Sequence, residues 1–166
     1  MLLTCAMNVH AARSDMPPSP DHSDEKVWTE SDAPPPPAFN QDRLIPLEVG
    51  VKSSLEYGID PQTLSISQTD GLVRYVLVAR SSSGAVNVAY DAIRCDTQEI
   101  KTYARASRDG EWRLQSDPQW RFVQDGRSPI YAPVLVRSGL CDGKTVNGPV
   151  STMIDALKRG GIPAKL

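Results

Sequence analysis

An α+β fold, with an antiparallel β-meander, a C-terminal helix packed across it and one disulfide, is predicted by three features of the sequence. Residues 72–114 contain stretches of alternating apolar and polar side chains separated by turn residues. Residues 147–160 place helix-start and helix-stop signals around an apolar face. Two cysteines, Cys95 and Cys141, remain once the N-terminal segment holding Cys5 is set aside.

The first of the predicted strands is Leu72 to Arg80. Val73, Tyr75, Leu77 and Ala79 share one face, and Leu72, Arg74, Val76, Val78 and Arg80 share the other, a half-buried alternation with a partly covered back. Ser81-Ser82-Ser83-Gly84 is turn chemistry, after which Val86, Val88 and Tyr90 alternate with Asn87, Ala89 and Asp91 in a second strand. A third strand fits Gln98 to Arg105, and Asp109-Gly110 turns the chain into Trp112-Arg113-Leu114. Upstream, Leu44, Ile45, Leu47, Val49 and Val51 suggest an earlier strand that Pro46 confines to an edge or a beginning. Asp60-Pro61 is an N-cap and N1 pair for a single helical turn. Downstream, Asp117-Pro118 turns Trp120 and Phe122 towards the core. Residues 128–140 have mixed signals and are read as a short helix after Pro133, with an edge strand as the alternative. The last helix opens at Asn147-Gly148-Pro149, buries Val150, Met153, Ile154 and Leu157, and ends at Gly160 after Lys158 and Arg159, which suit its negative end.

Composition divides the 166-residue chain into unequal regions. Most of the fourteen prolines lie before residue 50, and residues 13–42 carry two basic against seven acidic side chains, while the remainder is net +3. Residues 1–12 are expected to be a signal peptide truncated at its start, with Val9 and Ala11 suiting a signal peptidase cut. A lipid anchor at Cys5 fits less well, because Thr4 stands where a smaller residue is expected. Residues 13–42 form a Pro-rich acidic linker, too poor in apolar groups to offset its ordering entropy, in which Trp28 and Phe39 are candidates to tuck against the domain. Residues 43–166 are the folded domain. No run of eighteen apolar residues is present for a spanning helix, and the basic bias of a nucleic-acid binder is missing.

The pattern Arg74-Tyr75-Val76-Leu77-Val78, Ser83-Gly84-Ala85-x-Asn87-Val88-x-Tyr90, Ile93-Arg94-Cys95, Glu99-Ile100-Lys101-x-Tyr103-Ala104 and Gly110-x-Trp112 resembles the CNP1-like family of small exported proteobacterial proteins. The resemblance covers roughly Leu44 to Gly160 and implies location and fold more than activity. A looser likeness of layout to surface adhesin E-type domains is analogy alone.

For chemistry, the strongest sequence evidence is negative. The two histidines, His10 and His22, precede the folded region, which removes Ser-His and Cys-His nucleophiles and histidine metal ligands from it. Cys95 and Cys141 make an even pair for an oxidising compartment and are read as a structural disulfide. Asp91, Asp96 and Glu99 stand at ordinary strand and turn positions, as solvated or ion-paired carboxylates. Arg74, Arg80 and Arg94 could form an anion-gripping face, although nearby acids favour ion pairs instead. Trp112, Trp120 and Tyr131 suit the core or a peptide-binding patch. The expectation is a periplasmic or secreted, non-catalytic binding or accessory module without cofactor or metal, whose partner is an unidentified protein or envelope component. A surface-exposed adhesin-like protein and a carboxylate-based enzyme are the alternatives.

Overall fold

The computed structural model describes residues 27–50 and 53–160. The expected signal peptide, Cys5, the start of the linker and Val51 therefore lie outside the described residues. Among those described, eight strands form one antiparallel sheet in the order β1-β2-β4-β5-β6-β7, with β3 paired to β4 and β8 to β6. Its centre is β4 (Val73–Ser81), β5 (Val86–Arg94) and β6 (Glu99–Ala106), the meander expected from the alternation. The serine loop closes the first hairpin, where Ser81 N–H donates to the Ala85 carbonyl at 2.9 Å.

The short elements fill the edges. β1 (Ile45–Leu47) is an edge strand holding Pro46, and it pairs with β2 (Leu55–Ile59), which pairs with β4. Asp60 caps a 3₁₀ turn at Pro61–Thr63, its carboxylate accepting from Gln62 N–H, before β3 (Ser65–Ile66). β7 (Trp112–Leu114) and β8 (Arg121–Phe122) complete the far side. Phe122 is a correction to the sequence expectation: on this two-residue edge strand it is 63% exposed, because it stands opposite Glu99 and not over the core.

Within residues 128–140 the helical reading holds from Ala132, as α1 (Ala132–Leu135) with Pro133 in its first turn, continuing as a π-turn over Val136–Leu140, while residues 128–131 form a bend and a turn. The two-residue strands β9 (Cys141–Asp142) and β10 (Thr145–Val146) then form a hairpin leading to α2 (Val150–Lys158). Gly139, at φ 155°, lets the π-turn approach α2 closely: a Cβ there would lie 3.0 Å from Ala156 Cβ and 3.1 Å from the Met153 carbonyl. The Cys95–Cys141 disulfide ties the end of β5 to this helical layer.

Both faces of the sheet are covered. The first packs Val73, Tyr75, Leu77 and Ile93 against α1, the π-turn and α2 through Leu135, Leu140, Met153 and Leu157. The second face, Leu72, Val76, Val78, Val88, Tyr90 and Ala92, was expected to have only partial cover, yet every residue from Val73 to Ala79 is buried. Its cover is the segment from Val27 to Asp42, with Trp28, Ala33 and Phe39 packed against the apolar side chains. Thus the described part of the Pro-rich acidic segment lies along the domain as a strap. No residue of 27–40 is in a strand or helix, so the strap is held by its side chains and a few anchoring bonds.

Candidate functional site

The strap meets the sheet where the strand pairing is irregular. Tyr90 stands opposite Ala104 but Asp91 stands opposite Thr102, so the register skips Tyr103. A bulge of this kind re-aims a side chain, and here the Tyr103 hydroxyl donates to Glu30 Oε1 at 2.7 Å. Lys101, two residues earlier on the same face, donates from Nζ to Glu30 Oε2 at 2.8 Å, and Trp120 Nε1 donates to that oxygen at 2.9 Å. Three donors from β6 and the loop before β8 thus converge on one strap carboxylate. Burial alone would raise the Glu30 carboxyl, but the bonds from Lys101, Tyr103 and Trp120 outweigh it and hold the group below its ordinary value.

Further anchors lie to either side. Asp70, in the turn before β4, accepts from Ser31 N–H at 3.0 Å and Ser31 Oγ at 2.5 Å, and its backbone carbonyl accepts from Trp28 Nε1 at 2.9 Å. Asp60 accepts from Asn40 N–H at 2.8 Å and from both Nε and Nη2 of Arg43. Burial works to raise both aspartates, and the donated hydrogen bonds overcome it and lower them. Aromatic rings fill the spaces between anchors. Trp28 meets Trp120 edge-on at 6.1 Å, and Phe39 meets Trp112 at 5.7 Å. Trp112 and Trp120 therefore belong to the strap-covered side, whereas Tyr131 is buried in the helix-side core.

Arg74, Arg80 and Arg94 all emerge on the strap side, but each has a different engagement. Arg74 is 3% exposed and forms an ion pair with Asp70 at 3.0 Å. Arg94 pairs with Asp96 at 2.7 Å and stacks 3.8 Å from the Trp28 ring centroid. Arg80 donates to the Gln41 carbonyl and stands at a cleft. The three do not share one opening. The convergent cation on this face is Lys101, which charge counting could not distinguish from the arginines.

The cleft beside Arg80 has a volume of 810 Å³ and is lined by the end of the strap, Glu56, the β4–β5 hairpin and the turn holding Arg108, Asp109 and Trp112. A second cleft of 670 Å³ adjoins it, sharing Gln41, Asp42, Glu56 and Arg80 and adding Pro46, Val49 and Tyr57. Opposed charges face these openings from several elements. Among the described residues, no cluster of three or more His, Cys, Asp or Glu side chains is placed to hold a metal.

Asp91 overturns the expectation of a solvated or ion-paired carboxylate. It is fully buried on the helix side, where Tyr131 OH donates to Oδ2 at 2.7 Å. Burial raises its carboxyl above the ordinary value, and the Tyr131 bond offsets only part of this. The signal was present in the alternation, since Asp91 is in phase with Ile93 on the face that α1 and α2 cover. This group lies in the core, apart from the two clefts.

Fold and site together define a disulfide-stapled antiparallel-sheet domain whose second face is closed by its own N-terminal strap. The family profile described as the CNP1-like family matches residues 23–158, and the chain belongs to that family. The match begins inside the acidic Pro-rich segment, so the strap lies within the matched region. No curated protein and no solved structure matches the chain. Among the described residues no helix is long and apolar enough to cross a membrane.

Proposed function

We propose that this protein is an exported, non-catalytic binding or accessory module of the bacterial periplasm or envelope. The observation that carries the binding role is the pair of adjoining clefts, 810 and 670 Å³, sharing Arg80 and Glu56. Such volumes suit a small ligand or a peptide segment. The Cys95–Cys141 bond supports an oxidising compartment. The non-catalytic reading draws on the lack of histidine after His22. It also draws on Asp60 and Asp70 being occupied as structural acceptors, with no partner in common.

Cell fractionation with thiol alkylation tests this reading. Recovery from the envelope or periplasm, with both cysteines alkylated only after reduction, is the expected result. Cytosolic recovery with two free thiols refutes export, and substrate turnover by the purified protein, abolished by Arg80→Glu or Glu56→Gln, refutes the non-catalytic role. A surface-exposed, adhesin-like role is the second reading, favoured by the exposure of Leu114, Phe122 and Ile130. Protection of the protein from protease added to intact cells counts against it.

A further inference from the structure

We propose that the strap-covered face is a recognition site for a proline-rich segment of a partner protein carrying a carboxylate four residues ahead of its prolines, and that the strap occupies it as an intramolecular ligand. The proposal rests on reading the chain as a binding module and names the ligand class.

Three observations carry it. First, the donors around Glu30 form a built carboxylate site. Lys101 Nζ, Tyr103 OH and Trp120 Nε1 reach it at 2.7–2.9 Å from positions 71, 73 and 90 residues along the chain. The Lys101 and Glu30 side chains are only 13% and 22% exposed. Second, beyond this carboxylate the chain runs as Pro34-Pro35-Pro36 beside Tyr90 and Tyr103, leaving an apolar groove of 390 Å³ that Leu114 also lines. Aromatic-lined grooves are the usual receptors for proline-rich segments, whose stiffness limits the entropy lost on docking. Third, the strap lies on a face of the sheet and pairs with no strand. Its departure breaks no ladder hydrogen bond, so a competing segment needs to match the side-chain anchors and the backbone N–H bonds that Ser31 and Asn40 donate to Asp70 and Asp60.

The charge pattern fits the same occupant. Lys101 and Arg94 are the cations against which the acidic strap lies, through Glu30 and the Trp28 ring. A segment of the same order, an aromatic, a carboxylate, then prolines, satisfies them equally. Tethering gives the strap the advantage in the resting protein, and weakening its carboxylate anchor shifts the balance to a ligand in trans.

The experiment uses the full chain and a fluorescent peptide of residues 27–42. Glu30→Lys sets the strap against Lys101, and this variant is expected to bind the wild-type peptide at least about tenfold more tightly than the wild-type protein does. Adding Lys101→Glu re-forms the ion pair in cis and is expected to reverse that gain, while a peptide carrying Glu30→Lys does not bind Glu30→Lys protein. In a parallel arm, a protease site placed between Gln41 and Asp42 is cut in the folded wild-type protein, and excess labelled peptide is expected to exchange with the released strap. This arm remains decisive if Glu30→Lys fails to fold. Absence of exchange overturns the proposal, as does peptide binding by folded Glu30→Lys that Lys101→Glu leaves unchanged. Neither failure bears on export, which fractionation and alkylation decide separately.

Discussion

Breaking the Cys95–Cys141 bond releases a loop with a sequence separation of 46 residues. On the chain-entropy relation, opening such a loop gives the unfolded state about 4 kcal/mol of additional freedom at 25 °C. That is a large share of the roughly 5–15 kcal/mol that holds a typical domain folded. Cys95→Ala with Cys141→Ala loses a further contribution, because both residues are 3% exposed in the helix-side core. Two missing sulfur atoms cost on the order of 1 kcal/mol each in burial. Reduction of the wild-type protein isolates the loop contribution, and the double variant adds the packing loss. Urea unfolding of wild type, reduced wild type and double variant should therefore fall in that order of stability. Thermal midpoints should drop by about 15 °C on reduction, and the denaturant slope should rise as the released chain exposes more surface. If mass spectrometry shows both thiols free while the reduced protein unfolds at the oxidised midpoint, the bond is not a staple and this reasoning fails.

Asp70→Asn removes the charged partner of buried Arg74 and an anchor for Ser31, and a urea titration should show a loss of about 3 kcal/mol. The carboxylates make opposite pH contributions. Glu30 and Asp60 titrate lower in the folded chain, so their stabilisation is present above the unfolded values of 4.5 and 3.8 and is lost as pH falls through the folded ones. Asp91 titrates higher than 3.8, so its contribution declines as pH rises from 3.8 through the raised value. Urea midpoints against pH should thus show Glu30→Gln flattening the acid side and Asp91→Asn flattening the slope above 3.8. Gly139→Ala should cost about 2 kcal/mol in thermal or urea unfolding, since its methyl meets the α2 backbone from a left-handed φ.

The centre of the fold was legible because period-two alternation and turn residues agree there. The stretch from Leu72 to Arg105 became β4, β5 and β6 with boundaries close to those expected, and Asn147 to Gly160 enclosed α2. Phe122 was misread because aromaticity suggests burial, while the register of a two-residue edge strand decides it. The strap was harder to see. Composition measures what a segment can bury by itself, and residues 27–42 are ordered by bonds to distant partners, from Tyr103 and Trp120 to Glu30 and from the Asn40 N–H to Asp60. Trp28 and Phe39 were its visible trace. The arginines were legible as a face but not as a site, since alternation gives the side of a strand and not the partner waiting there. Lys101 and the skipped Tyr103 gain their geometry from a bulge that no local residue pattern announces.

The distance along the chain between Glu30 and its donors sets an order in time. Residue 30 leaves the ribosome well before Lys101, Tyr103 and Trp120, which follow 71, 73 and 90 positions later. Contacts so distant form late, because the intervening loop must be closed first. Synthesis therefore creates an interval in which the acidic proline segment is already made and its seat is not. During that interval the segment is open to chaperones and proteases, and a completed sheet is briefly bare before its own cover arrives. Closure of the sheet's second face by residues 27–42 is therefore expected to be a late step of folding.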